Sequence, residues 1–335
     1  MKKIILGALT LFIGSIGFAQ NNTSTVNQDG NDLKSIVNQQ GLNNTSVQNQ
    51  VKTNANVESG MNEAYVTQKG IGNYANQWQN GKDGKIDVAR INQTGNGNRA
   101  WQTQGPQAAD ETADATQRGN NNTSRQTQVG GARNDADVIQ DSDLNEAYQY
   151  QSGIENKVFA KQNGFSNYAK QDQVDFSKKN VATVYQTGNG NDAFQKQTGA
   201  YKNSARGNAY INQTGNFNYA NQDQSPSVNE QGVYSNDVII NQQGSWDDAY
   251  QKQYGLDDYA NILQRGGQNN YGYQYQDVNS MSETARLTQT GSFNESWQYQ
   301  YGTGNTSTVN QSGISHWSKT TQMGASNTTN VTQTN

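Results

Sequence analysis

A seven-residue unit that ends in glutamine recurs through the chain, and nothing else in the sequence limits its fold as severely. Alignment on Gln followed by x-Gly-x-x-Asn gives units reading N-x-A-x-φ-x-Q or N-x-A-x-Q-x-Q, where φ is β-branched or small. Key residues at alternate positions mark a strand, and the Gly-x-x between units marks a turn. The first type includes Asn62, Ala64, Val66 and Gln68; Asn180, Ala182, Val184 and Gln186; and Asn305, Ser307, Val309 and Gln311. The second includes Asn73, Ala75, Gln77 and Gln79; Asn191, Ala193, Gln195 and Gln197; and Asn218, Ala220, Gln222 and Gln224. From Leu33 to Gln322 the two types are read as alternating without exception, with an extra first-type unit before (Asn22 to Gln28) and after (Asn327 to Gln333). There are 26 units, each closed by Gln.

The spacing is asymmetric. Within a pair, the step from first to second unit is 11 residues except from Asp258 to Asn270, where it is 12, whereas the step between pairs ranges from 11 to 18. One edge therefore has a fixed turn and the other tolerates insertions. Pro106 and Pro226 both fall in the variable connections, where a missing N–H is expected to break no ladder.

Folding each pair into two strands that face one another makes third positions meet second positions. Val184 then faces Ala193 and Ala182 faces Gln195, so large meets small at close-packed density. Stacking the pairs sets Gln over Gln and Asn over Asn at about 4.8 Å, where carboxamides donate to and accept from their neighbours. The expected ladders include Gln68, Gln79, Gln93, Gln104, Gln186, Gln197, Gln213, Gln224, Gln289 and Gln300. Asn73, Asn98, Asn191, Asn218 and Asn305 form the Asn column, and Gly70, Gly95, Gly188, Gly215 and Gly291 supply the permissive turn backbone. The expected fold is all-β: a β-solenoid of two facing parallel sheets, two strands per rung and about 13 rungs, cross-β and amyloid-like.

Composition agrees with polar rather than apolar structure. Only 31% of the 335 residues are hydrophobic, so a conventional core is not expected, while 24 basic against 28 acidic residues leave a net charge of −4. Near-neutrality with abundant Asn and Gln favours self-association over solvated disorder and offers no basic face for nucleic acid. Met1-Lys2-Lys3, the apolar run that follows and Ala19-Gln20 read as a signal peptide over residues 1–19, leaving 20–335 as one solenoid. No further segment would insert the mature chain in a membrane. Cysteine is absent, so an exported chain would hold together by its own pairing.

The unit Q-x-G-x-x-N-x-A-x-x-x-Q, complete in Gln186 to Gln197 and Gln213 to Gln224, resembles the curlin repeat of the curli amyloid subunits. The resemblance implies a secreted subunit that crosses the outer membrane unfolded through a dedicated pore and adds to an extracellular fibre at the cell surface. It also implies a role in biofilm matrix and surface adhesion, with the chain itself, a nucleating subunit and the secretion pore as partners. The competing reading is a monomeric secreted solenoid, an adhesin or ice-binding protein, which would need capped ends and a regular Thr array.

No catalytic residue, cofactor site or metal site is expected. His316 stands in the Asn column without triad context, and Asp247-Asp248 and Asp257-Asp258 read as solvated turn acids rather than calcium ligands. Outward aromatics form two sets: Tyr74, Tyr168, Tyr219 and Tyr259, and, two residues further along the unit, Trp101, Tyr148, Phe194, Tyr250 and Trp297. They serve either as strand-surface contacts or as an adhesion face. Asp87 followed by Glu111, and Asp258 followed by Glu283, replace Asn in the column. They are candidate gatekeepers that slow assembly through interior rungs, the alternative being solvated caps of turn amides.

Overall fold

A computed structural model describes residues 21–30, 33–51, 62–81, 86–174, 178–199, 205–225 and 234–335. The signal-peptide reading of residues 1–19 and the connection containing Pro226 lie outside the described residues. Each of the 26 strands corresponds to one glutamine-closed unit. One sheet stacks β1 (Thr23–Asp29), β3 (Thr45–Val51), β5 (Tyr74–Gly81), β7 (Arg99–Ala108), β9 (Thr123–Ala132), β11 (Glu146–Ile154), β13 (Tyr168–Val174), β15 (Asp192–Thr198), β17 (Tyr219–Gln224), β19 (Asp248–Gln253), β21 (Tyr271–Gln276), β23 (Glu295–Thr303) and β25 (Trp317–Ala325). The other stacks β2 (Lys34–Leu42), β4 (Glu63–Ile71), β6 (Val88–Thr94), β8 (Thr112–Arg118), β10 (Asp135–Asp141), β12 (Lys157–Asn163), β14 (Val181–Thr187), β16 (Ala205–Asn216), β18 (Tyr234–Ser245), β20 (Tyr259–Gln268), β22 (Thr284–Ser292), β24 (Thr306–Ile314) and β26 (Thr328–Thr334). The chain alternates between the sheets at every turn, so the fold is an all-β solenoid of two parallel sheets with 13 strands each.

Register follows the repeat. Ala182, Val184 and Gln186 of β14 lie over Ala209, Ile211 and Gln213 of β16, and Ala193, Gln195 and Gln197 of β15 lie over Ala220, Gln222 and Gln224 of β17. A one-residue slip would turn every inward carboxamide outward, so alternation fixes the pairing. The interior is thin and volume-matched. Val138, Val184, Ile211, Ile240, Ile262 and Leu287 pack with Ala147, Ala169, Ala193, Ala220 and Ala249 in one buried cluster. Where the second-type strand offers Gly272 instead of Ala, the facing residues are among the largest: a Cβ there would lie 2.7 Å from Leu287 Cδ2 and 3.2 Å from Ile262 Cγ2.

Two readings of the repeat are corrected at its ends. The Asn22 to Gln28 unit is first-type in composition but stands in the sheet of second-type units, with Val26 beside Gln48. Alternation also fails at β25, where Thr320 lies beside Gln298 in place of a glutamine. The middle Gln column therefore stops one strand short of each end of its sheet. Pro106 lies within the C-terminal part of β7, not in a loop, but beyond Gln104, where pairing with β5 loses its regular register and the residue-by-residue ladder to β9 ends. The 12-residue step is taken up by Gly266 and Gly267, both at positive φ (55° and 123°), beside a register shift between β18 and β20.

Candidate functional site

In this molecule the chemistry-bearing groups are its inward amides. Gln186 is buried, and its Nε2 donates to Gln213 Oε1 at 2.9 Å and to the carbonyl oxygens of Tyr168 and Asn191 at 2.8 Å each. Gln197 Nε2 donates to Gln224 Oε1 at 2.7 Å and to the Gly207 carbonyl at 2.8 Å. The other predicted positions do the same along the stack: Gln68 to Gln93, Gln93 to Gln117, Gln79 to Gln104, Gln104 to Gln128, Gln213 to Gln242, Gln224 to Gln253, Gln289 to Gln311 and Gln300 to Gln322. Each amide thus bonds along the axis and also across to main chain leading into or within the facing sheet. The cross-sheet arm was not read from the sequence, because it depends on the separation of the sheets rather than on spacing within a unit.

The Asn column has its own pattern. Asn73 Nδ2 donates to the Gly95 carbonyl at 2.8 Å while its Oδ1 accepts the Asn98 N–H at 3.0 Å. Asn191 and Asn218 donate to the carbonyls of Gly215 and Gly244, and Asn305 to that of Gly324. The predicted turn glycines Gly70, Gly95, Gly188, Gly215 and Gly291 all have positive φ, between 103° and 126°. At Gly188 a Cβ would overlap the Gly215 carbonyl oxygen of the next turn. A second left-handed position escaped the sequence reading: the residue just before the column. Gly or Asn often fills it, yet Phe217 (φ 56°), Trp246 (φ 60°) and Phe293 (φ 57°) do so as well.

The acidic exceptions are not solvated. Asp87, Glu111, Asp247, Asp258 and Glu283 are all buried, at most 1% exposed, which corrects the reading of Asp247 and Asp258 as solvated turn acids and the alternative of solvated caps for the column acids. They do cap amides: Asp87 Oδ1 accepts the Glu111 N–H and Asp258 Oδ1 accepts the Glu283 N–H, both at 3.0 Å. Burial pushes the carboxyls of Asp87, Asp247 and Asp258 up to about 6. Burial and the neighbouring aspartate push Glu111 up to about 8 and Glu283 to about 7.

On the outer face of one sheet the aromatic rings of Tyr148, Tyr168, Phe194, Tyr219, Tyr250, Tyr271 and Trp297 run as a continuous zigzag with centroids 5.0–5.6 Å apart. Tyr74 and Trp101 form a separate contact, and Tyr259 belongs to the other sheet, where Arg286 lies over its ring. His316 has Nε2 3.1 Å from the Ser312 carbonyl oxygen, and its main-chain N–H donates to Asn294 Oδ1. Among the described residues no three His, Cys, Asp or Glu side chains gather as a metal site.

The open strands at the two ends carry complementary groups. Gln28 and Gln39 donate into the stack, to Gln50 and Gln68, so an amide oxygen is left at that edge. Gln322 and Gln333 accept from Gln300 and Gln311, so their amide nitrogens lie on the side of the other edge, where Gln322 Nε2 bonds the Thr306 and Asn327 carbonyls and Thr329 Oγ1 and Gln333 Nε2 bonds the Trp317 carbonyl.

No curated protein matches the chain. Residues 283–313, which span β22, β23 and nearly all of β24, match the family model of the curlin associated repeat. Residues 283–313 thus carry a curlin associated repeat, inside a stack built throughout from the same seven-residue unit.

Proposed function

We propose that the chain is the structural subunit of a secreted, extracellular, curli-like amyloid fibre that polymerises end to end. Each strand pair acts as one of about 13 cross-β rungs. Copies join by laying β1 and β2 of one on β25 and β26 of the next. The carrying observation is the match between the two ends. Continuing the register sets Gln322 against Gln28, Gln333 against Gln39 and Val331 against Val37, with amide nitrogens at one edge meeting amide oxygens at the other. Unpaired edges of this kind template addition of another strand. On this reading the protein is not an enzyme, the fibre contributes to biofilm matrix and surface adhesion, and a nucleating subunit and an outer-membrane pore serve it in secretion and assembly. Electron microscopy of the purified mature chain after incubation tests the reading. Unbranched fibres are expected, and persistent monomers would overturn it in favour of a solitary solenoid adhesin or ice-binding protein.

A further inference from the structure

Among the described residues, four of the seven buried side-chain oxygens without a hydrogen-bond partner are carboxyl oxygens, the other three belonging to Ser46, Ser124 and Asn80. Asp87 Oδ2, Glu111 Oε2, Asp247 Oδ2 and Glu283 Oε2 are buried without a hydrogen-bond partner. Each belongs to an acid in the Asn column, and the column shows what is missing. Directly before Asp247, Asn218 Nδ2 donates to the Gly244 carbonyl at 3.0 Å; directly after it, Asn270 Nδ2 donates to the Gly291 carbonyl at 2.8 Å. Asp247 keeps the acceptor half of the role, its Oδ1 receiving the Asn270 N–H at 2.9 Å. Its Oδ2 takes the place of the donating nitrogen and shares a space with the carbonyl it would have to serve. A Cβ built on Gly244 would lie 2.5 Å from Asp247 Oδ2 and 2.7 Å from the Gly267 oxygen. An ionised carboxylate there would set a charged acceptor against a carbonyl acceptor. A carboxylic acid restores an O–H donor where the amide had N–H.

Glu111 and Glu283 follow the same logic with a longer arm. One oxygen of each accepts from the next Asn in the column, Asn134 Nδ2 at 3.0 Å and Asn305 Nδ2 at 2.8 Å, and the other is orphaned. Asp258 is the informative contrast. Its second oxygen accepts from Ser280 Oγ at 2.6 Å, so this acid has a donor of its own and is absent from the orphaned set.

We infer that Asp87, Glu111, Asp247 and Glu283 are held in the folded solenoid as neutral carboxylic acids standing in for asparagine, so that folding takes up protons and is favoured by mildly acidic surroundings. The charged groups acting on them are themselves acids: Asp110 and Glu111 about Asp87, Asp87 about Glu111, Asp248 beside Asp247, and Asp258 and Asp277 about Glu283. The other elements packed on them present neutral groups. Below the column Asn62 and Asn218 accept the N–H of Asp87 and Asp247, and from the facing sheet Gln79 and Gln242 donate to the carbonyls of the same two residues. The raised carboxyl pKa values of about 6 to 8 fix the window. A carboxyl titrating near 4 in the unfolded chain and higher when folded stabilises fully below about pH 4, and that contribution is lost as pH rises through the folded values.

The inference concerns folding; its consequence for fibre growth rests on the function proposed above. The test compares the mature chain with the variant Asp87→Asn, Glu111→Gln, Asp247→Asn, Glu283→Gln, which supplies the amide donors permanently. Between pH 5 and pH 8 the denaturant midpoint of the parent should fall, while that of the variant should fall much less, keeping only the share of acids such as Asp258 that it retains. At pH 6.5 folding of the parent should take up about two more protons than folding of the variant. A control that neutralises the exposed Asp29 and Glu146, as Asp29→Asn with Glu146→Gln, should keep the parental slope. If the variant does not fold, infrared spectroscopy of the folded parent decides: a protonated carboxyl band should persist at pH 6.5 and vanish well above pH 8. Equal slopes in parent and variant, or no protonated carboxyl at pH 6.5, would overturn the inference. Restoration of the parental midpoint at pH 8 by magnesium or calcium ions alone would also overturn it, by making the carboxylates cation ligands. Failure to form fibres with the carboxyl signature intact would count against the fibre reading alone.

Discussion

A single glutamine shows why polar residues can build this interior. Gln186 Nε2 is shared between the next carboxamide in its ladder and two main-chain oxygens, so Gln186→Leu preserves bulk but strips partners from groups that are already buried. An unmet buried group costs about 1–3 kcal/mol, and the denaturant midpoint should fall accordingly. Lys196→Ala, one residue from Gln197 but on the exposed face, should change stability by less than about 0.5 kcal/mol. Equal losses from the two variants would contradict the inward and outward assignment. Gln, Asn and Gly positions were legible because the unit repeats so often that periodicity alone gives their facing. Burial of Asp87, Glu111, Asp247 and Asp258 was not. An acid at a turn ordinarily finds water, and only the three-dimensional column shows that the Asn site it occupies is closed.

Between facing strands, the controlling quantity is volume. Gly272 faces Leu287 and Ile262 at a distance that leaves no room for a methyl group, so Gly272→Val should destabilise by about 1–3 kcal/mol through overpacking. Leu287→Ala, destabilising alone, should recover part of that loss in the double variant. A double-mutant cycle by chemical denaturation measures this coupling, and strict additivity would argue against direct facing. Turn lengths belong to the same scale. A single extra residue is accommodated at Gly266 and Gly267, where glycine permits two successive positive φ values. Two alanines inserted after Gly188 have no such freedom beside the Gly215 carbonyl and should disrupt folding, as followed by circular dichroism. The same insertion beside Pro226 should be tolerated, because closure entropy grows slowly with loop length. The fixed edge was legible from the 11-residue steps, but the bulky left-handed residues Phe217, Trp246 and Phe293 were not, since propensity disfavours them where the corner geometry places them.

At the scale of the whole molecule the repeat reading was least accurate at the two terminal strands of one sheet. Val26 and Thr320 occupy the column that glutamine fills between them, so a junction between copies would carry two outer glutamine ladders and an apolar column but no middle ladder. Sequence alignment hid this because Val26 fits the other unit type, and only sheet membership shows which column it enters. The junction can be probed covalently, since the chain contains no cysteine. Continuing the register places outward Lys319 of β25 beside outward Thr25 of β1 in the next copy. Neighbouring strands lie about 4.8 Å apart, within the Cα separation of about 4.4–6.8 Å that a disulfide accepts. The most direct measurement is therefore oxidation of the variant Thr25→Cys with Lys319→Cys after assembly, followed by denaturing electrophoresis. End-to-end stacking in register predicts a ladder of covalent multimers that forms only once fibres are present. It also predicts little cross-linking when Lys319→Cys is replaced by Met323→Cys, two inward–outward alternations further along β25. Well-formed fibres that yield only monomers on oxidation, or that cross-link equally through either position, would contradict the account.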